Sequence, residues 1–198
     1  MRRLTSSEVA VIDGLTMMGL ATGWEWMAAL DAGTQAQVAF RTDERTDGTN
    51  SDTAMKTHWA GGGHLVIHHN HPSGESLSHP DWNCLLDPDQ PMDEIFACTL
   101  DGTVYYGALV DDATARQALA RYGFAHPSAE TAIFDSLAGQ TLGFRTAVAA
   151  TFGKHAVSLA LGQRGFAYDI APGPVMQRAL AHVSGPIAAG TAAALAKL

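Results

Sequence analysis

Residues 64–81 read HLVIHHNHPSGESLSHPD, and this succession of an apolar strand, closely spaced histidines and a helix start indicates the fold. Because side chains alternate along a strand, His69 and His71 should project to the same face near the strand end. Ser78 has the pattern of a helix N-cap, which places Asp81 about one helical turn away. Two imidazoles and a carboxylate are therefore expected close together, where they can share one metal ion.

The predicted ligand set is of the kind that suits zinc. Two histidines and an aspartate offer nitrogen and oxygen ligands of borderline softness. Three protein ligands leave one position of a tetrahedral ion open, which is the catalytic rather than the structural arrangement. A single histidine is more often a satisfied polar residue than a ligand. The prediction of one catalytic Zn²⁺ therefore depends on the joint spacing of His69, His71 and Asp81.

Composition narrows the class of protein. The 198 residues carry a formal net charge of −8 without a run of Lys or Arg, so we expect no nucleic-acid partner. Cys84 and Cys98 have no ligand spacing, which excludes a disulfide framework and favours a reducing cytoplasm. Neither a signal peptide nor a spanning segment is recognisable, so we expect a cytoplasmic protein without membrane association.

Patterns on both sides of the metal stretch predict an α+β or α/β sheet protein. A capping-box pattern opens a first helix over residues 5–20. Residues 25–40 predict a β-hairpin, and the polar run 41–52 predicts an exposed loop. An Asp-Gly turn joins two further strands within residues 95–110. The predicted order is helix, hairpin, loop, metal strand, metal helix and second hairpin.

The composition and the hydrophobic pattern of the chain change near residue 111. Residues 112–198 are rich in alanine and helical in pattern. We therefore predict a domain of residues 1–111 and a helical C-terminal extension of residues 112–198. Three roles stay open for this extension: binding a substrate or protein partner, forming a homodimer, or packing against the sheet.

The segments HxHP at residues 69–72 and SxxD at residues 78–81 together resemble the JAMM (MPN+) zinc metalloprotease motif. The hexapeptide HNHPSG is similar to the motif of the RadC-like branch of this superfamily. The resemblance covers about residues 5–110 and implies an MPN/cytidine-deaminase-like mixed β-sheet flanked by helices. One departure is a spacer of five residues between the motif proline and serine, where the family usually has six.

The resemblance also implies roles for individual residues. It makes His69, His71 and Asp81 the ligands of one catalytic zinc ion. It makes the Ser78 hydroxyl a donor to the developing oxyanion, whereas the pattern alone makes Ser78 a plain N-cap. Both roles can hold at once.

The general base implied by the resemblance is a glutamate upstream of the motif, and two glutamates compete for this role. Glu25 heads an apolar strand. Glu44 lies in the polar loop ahead of Gly48-Thr49, where RadC-like sequences carry a glutamate. We favour Glu25 because strands hold catalytic side chains more rigidly than loops do.

The sequence thus predicts a zinc-dependent isopeptidase or peptidase that hydrolyses the bond after the C-terminal glycine of ubiquitin or a ubiquitin-like modifier. Such an enzyme would suit a bacterial operon for ubiquitin-like conjugation. The alternative is a RadC-like MPN scaffold that binds protein partners without peptidase activity. A metal-dependent nuclease, suggested by the letters HNH, is disfavoured because this acidic chain lacks a basic groove.

Overall fold

The computed structural model describes residues 1–198 and confirms an α+β protein with one six-stranded mixed sheet. Its elements follow the predicted order up to the second hairpin. In chain order they are α1 (Ser6–Thr22), β1 (Trp26–Asp31), β2 (Gln37–Thr42), α2 (Thr53–Ala60), β3 (Leu65–Asn70), α3 (His79–Cys84), β4 (Met92–Cys98), β5 (Val104–Leu109), α4 (Asp112–Leu119), α5 (Tyr122–Ser136), α6 (Leu142–Leu161), β6 (Phe166–Ala171) and α7 (Pro174–Leu195).

The strand that carries the histidines lies inside the sheet. The strand order is β2-β1-β3-β4-β5-β6, and only the β3–β4 pair is parallel. A parallel pair needs a crossover connection, and α3 lies within the crossover from β3 to β4. All six residues of β3 are buried, so the end of this strand is a rigid place from which to present ligands.

Side chains of β3 alternate between two hydrophobic clusters on opposite faces of the sheet. Leu65 and Ile67 belong to the larger cluster, which also contains Trp82 of α3. Val66 belongs to the smaller cluster, to which α1 contributes Leu15. This period of two places His69 on the α3 face of the sheet.

The start of α1 follows its predicted capping box. The Glu8 backbone N–H donates to the Thr5 hydroxyl at 3.2 Å, and the Thr5 N–H donates to the Glu8 carboxylate at 2.7 Å. The helix ends at Gly23, whose φ of 72° is in the left-handed region. The chain therefore turns sharply into the strand that begins after Glu25.

Residues 112–198 are not wholly helical, which corrects that prediction at residues 166–171. These residues form β6, which pairs antiparallel with β5 and becomes the edge of the sheet. The segment FAYDIA has only a weak strand signal because it is short and lies between long helical patterns. The aromatic rings of Phe166 and Trp82 lie 4.9 Å apart, so the extension shares the larger cluster with the rest of the chain. The predicted boundary at residue 111 stays a prediction.

None of the seven helices combines the length and the apolar character needed to cross a lipid bilayer.

Candidate metal centre

His69 and His71 lie together at the carboxyl end of β3. Their Nε2 atoms are 2.8 Å apart, and both side chains are almost completely buried. The alternation that puts His69 on the α3 face puts His71 there as well. The predicted pairing of the two imidazoles is therefore present in the structure.

Helix α3 brings the carboxylate to the histidines. Ser78 precedes the first residue of α3, so Asp81 lies in the first helical turn, as predicted. Its Oδ1 lies 3.3 Å from His69 Nε2, and its Oδ2 lies 3.6 Å from His71 Nε2. The five-residue spacer between Pro72 and Ser78 therefore brings the predicted ligands together.

The spacing of the three side chains fits a metal ion. One ligand atom from each of His69, His71 and Asp81 lies within 4.8 Å of the other two. In a tetrahedral site with Zn–N distances of 2.0–2.1 Å, neighbouring ligand atoms are about 3.3 Å apart. From His69 Nε2, the distances of 2.8 Å to His71 Nε2 and 3.3 Å to Asp81 Oδ1 lie near this value, and the other carboxylate oxygen, Oδ2, is 3.6 Å from His71 Nε2. The donor set, two imidazoles and a carboxylate, is one that zinc accepts.

The electrostatics of the cluster follow from burial and close charges. Burial favours the neutral form of Asp81, but the charge of His69 and its hydrogen bond to the carboxylate outweigh it and hold the pKa of this carboxyl well below its usual range. Burial also lowers the pKa of His69, but the charge of Asp81 outweighs it and raises the pKa of this imidazole. Burial and the charge of His69 lower the pKa of His71 to about 4. Asp81 is therefore ionised and ready to bind a cation.

The neutral His71 ring has a fixed orientation. Its Nδ1 lies 2.9 Å from the carbonyl oxygen of Glu75. Since a carbonyl oxygen only accepts, Nδ1 carries the proton and donates a hydrogen bond to it. The lone pair is then on Nε2, which faces His69 and Asp81. Metal-binding histidines are commonly oriented by such a bond from the ring nitrogen that does not bind the metal.

Ser78 is tied to Asp81 through two atoms. Its backbone N–H donates to Asp81 Oδ2 at 2.6 Å, and its hydroxyl donates to the same oxygen at 2.7 Å. These bonds orient the carboxylate that faces the histidines. The hydroxyl is thus beside the candidate metal site, and its role toward an oxyanion stays a prediction.

Glu25 precedes β1 and lies near the metal cluster. Met27 is opposite His69 in the antiparallel β1–β3 pair, and the paired residues end there. Glu25 is two residues before Met27, so the alternation of side chains along an extended chain directs it to the same side. Charges on His69 and Asp81 act on the Glu25 carboxyl, and its burial raises its pKa above the ordinary value.

Three hydrogen bonds hold the backbone of Glu25. Its N–H donates to the carbonyl oxygen of Arg45 at 2.6 Å, and its own carbonyl accepts from the hydroxyls of Thr42 (2.7 Å) and Thr49 (3.0 Å). Its carboxylate makes no hydrogen bond within the chain. Glu44, the competing candidate, is exposed in the loop and has a φ of 59°. The structure therefore brings Glu25, not Glu44, to the three ligands.

Asn70, between the two histidines, was missed by the sequence reasoning. Its side chain faces α1, where its Oδ1 accepts from the Trp26 N–H at 2.7 Å and its Nδ2 donates to the Trp24 carbonyl at 3.1 Å. These two backbone groups flank Glu25, so the amide fixes the segment that carries the glutamate. A polar residue within a fully buried strand was the signal in the sequence that such a partner exists.

Three other histidines near the motif lie outside the cluster. His68 faces α1, and its ring stacks on Phe96 at 4.6 Å. His64 is exposed and bonds Asp93, while His79 is exposed and packs against an aromatic ring of α5. Two of the five histidines in this stretch therefore face Asp81.

Comparisons of the chain with protein-family models, with curated proteins and with solved structures found no match.

Proposed function

We propose that the protein is a zinc-dependent isopeptidase or peptidase that cleaves after the C-terminal glycine of ubiquitin or a ubiquitin-like modifier. The observation that carries the proposal is the cluster of His69, His71 and Asp81, with Glu25 close enough for the charges of His69 and Asp81 to act on its carboxyl. A half-buried carboxyl without a hydrogen-bond partner in the chain, near three candidate metal ligands, supports metal-assisted hydrolysis.

The proposed chemistry divides among five side chains and the ion. A zinc ion held by the three ligands would supply Lewis-acid polarisation of the scissile carbonyl and activation of a water molecule. Glu25 accepts the proton of the attacking water and passes it to the leaving amine. The raised pKa of Glu25 supports this exchange because such a carboxyl both takes up and releases a proton.

Ser78 is the proposed donor to the oxyanion. Its hydroxyl turns from Asp81 toward the oxygen that becomes negative, while its backbone N–H keeps its bond to Asp81 Oδ2. The carboxylate therefore stays oriented during the reaction. Stabilisation of a developing oxyanion by a fixed donor is worth about 3–4 kcal/mol in other hydrolases.

The substrate class comes from the resemblance of HxHP and SxxD to the JAMM motif. We assign the enzyme to the cytoplasm. Both cysteines are free thiols, and the formal charge of −8 disfavours nucleic acid as a substrate.

Replacement of Glu25 tests the proposal. The substrate is a ubiquitin-like protein joined through its C-terminal glycine to a fluorogenic amine. We expect Glu25→Gln to lower kcat by about 10²–10⁴-fold, the usual contribution of a general base, while the protein keeps its zinc. The matched control Glu44→Gln should keep the activity of the natural protein because Glu44 is exposed in the loop.

Full activity of Glu25→Gln would overturn the assignment of the base. If the natural protein cleaves no conjugate and binds protein partners equally well with and without a chelator, the peptidase proposal fails and the RadC-like scaffold is favoured.

A further inference from the structure

The loop between His71 and Ser78 is held by side chains from residues 112–198. Lys154 of α6 donates to the Glu75 carboxylate at 2.6 Å, and the Tyr168 hydroxyl of β6 lies 2.7 Å from the Ser76 hydroxyl. Both contacts join positions about 80 or more residues apart in the chain. The extension therefore reaches the segment that links two metal ligands.

This loop is connected directly to a ligand. The Glu75 carbonyl accepts a hydrogen bond from His71 Nδ1–H, so the position of Glu75 determines the orientation of the imidazole. Ser76 and Leu77, the next two residues, are buried. A displacement of the loop would move the Glu75 carbonyl and with it the ring of His71.

Tyr168 is itself fixed by a neighbour on α6. Its hydroxyl lies 2.6 Å from Nδ1 of His155, a buried residue. Burial lowers the pKa of His155 to about 4, so the ring is neutral. The Tyr168 hydroxyl forms hydrogen bonds with both this imidazole and the Ser76 hydroxyl. The chain of contacts runs from α6 through β6 to the loop.

We infer that residues 112–198 position the metal centre, with Lys154 and Tyr168 as positioning residues that hold the 72–77 loop and thereby orient His71. The inference rests on the proposed zinc site. Positioning of the metal centre is a role of residues 112–198 that is separate from substrate binding and from dimerisation. Neither residue touches the ion; both act through Glu75 and Ser76.

The test measures zinc affinity and coordination geometry in the full chain. Zinc dissociation constants come from competition with a chromophoric chelator, and the d–d spectrum of the cobalt(II)-loaded protein reports the geometry. We expect Lys154→Met and Tyr168→Phe each to weaken zinc binding roughly 10-fold and to change the cobalt spectrum, as loss of partners behind a ligand does elsewhere. Lys154→Arg, which keeps the cation, should restore both.

Tyr106→Phe is the matched control for loss of a tyrosine hydroxyl. That hydroxyl donates to Glu94 at 3.0 Å, and the ring packs with the smaller cluster on the other face of the sheet. The zinc affinity of Tyr106→Phe should stay within about twofold of that of the natural protein, because the Tyr106 hydroxyl does not contact the 72–77 loop. Lys154 is partly exposed, so its replacement does not threaten the fold even if Tyr168→Phe does.

Two results separate the possible failures. If the natural protein binds zinc and both Lys154→Met and Tyr168→Phe bind it equally well with unchanged cobalt spectra, the positioning role is overturned while the zinc site stands. If the natural protein itself binds no zinc, the proposed function fails and the positioning role fails with it.

Discussion

Two clusters of ionisable residues lie on opposite faces of β3. His69 faces α3 with Asp81, and its neighbour His68 faces α1 with Glu8. Charges inside a protein are tolerated only with partners of opposite charge and good hydrogen bonds. The two clusters differ in their cation. In the α1 cluster the permanent charge of Arg2 faces Glu8, whereas in the α3 cluster Asp81 faces only histidines.

Glu8 is completely buried and is held by Arg2. The guanidinium donates to both carboxylate oxygens, at 2.8 and 2.5 Å, and also bonds Glu94. His68 Nε2 is 3.4 Å from Glu8, a long contact rather than a formed hydrogen bond. Burial favours the neutral form of Glu8, but the bonds from Arg2 outweigh it and hold the pKa below the usual range.

We predict that Glu8→Gln lowers the free energy of unfolding by about 2 kcal/mol at pH 7, because Arg2 loses a charged partner in a partly buried site. Urea denaturation measures the change. Asp13→Asn is the control, since Asp13 is an exposed carboxylate on the same helix and should change stability little. Equal effects of the two substitutions would contradict the role given to Glu8.

The same carboxylate predicts a pH dependence. The pKa of Glu8 is lower in the folded protein than its ordinary value of 4.5, so its contribution is present above pH 4.5 and is lost as the pH falls. The stability difference between the natural protein and Glu8→Gln should therefore shrink below about pH 4.5. Denaturation midpoints between pH 7 and pH 3 measure it, and a difference that grows toward low pH would contradict the sign.

At the scale of elements, the decisive contact is the close approach of α1 to the end of β3. A Cβ atom on Gly19 of α1 would lie 2.5 Å from Nδ2 of Asn70, which is well inside van der Waals contact. Only glycine at this position leaves room for the Asn70 amide that brackets Glu25. The helix is therefore part of what positions the proposed base.

Gly19→Ala is predicted to lower the free energy of unfolding by about 1–3 kcal/mol, the usual cost of overpacking. Gly14→Ala, in the same helix, is the matched control because its added Cβ would meet the Phe40 ring at an ordinary 3.6 Å. It should raise stability by up to about 1 kcal/mol through helix propensity. Thermal or urea unfolding of both variants checks this, and a stabilising Gly19→Ala would show that Asn70 is not confined.

The elements of the metal centre could be predicted because each has a local signal. Alternation along β3 gave the shared face of His69 and His71, and the cap at Ser78 gave the turn that holds Asp81. Asn70 has only the general signal of a polar residue in an apolar strand, which does not identify its partners, and Gly19 has no signal because its role depends on the distance between two packed elements. Glu25 is favoured over Glu44 because a strand end holds a side chain more rigidly than a loop does, and in the structure the charges of His69 and Asp81 act on its carboxyl.

At the scale of the whole molecule, the extension completes both the sheet and the larger cluster. β6 covers the edge of β5, and its Phe166 and Tyr168 rings lie 4.9 and 6.0 Å from Trp82 of α3. The pairing of β5 with β6 has no local signal because partners in a sheet can be far apart in the chain. The alanine-rich composition of residues 112–198 predicts the helices correctly but does not predict the strand between them.

Residues 1–111 alone are predicted not to fold stably. Removal of residues 112–198 would expose Trp82 and leave β5 as an unpaired apolar edge, which favours association between chains. Circular dichroism and size-exclusion chromatography of this fragment should show loss of structure or aggregation. A monomeric fragment with cooperative unfolding would instead support residues 1–111 as an independent domain.

Zinc content of the purified chain tests the central claim most directly. After dialysis, inductively coupled plasma mass spectrometry should find about one zinc ion per chain in the natural protein. It should find the same in His64→Ala, which removes an exposed histidine outside the cluster, and almost none in His69→Ala. Absence of zinc from the natural protein, or equal zinc in the natural protein and His69→Ala, would contradict the account.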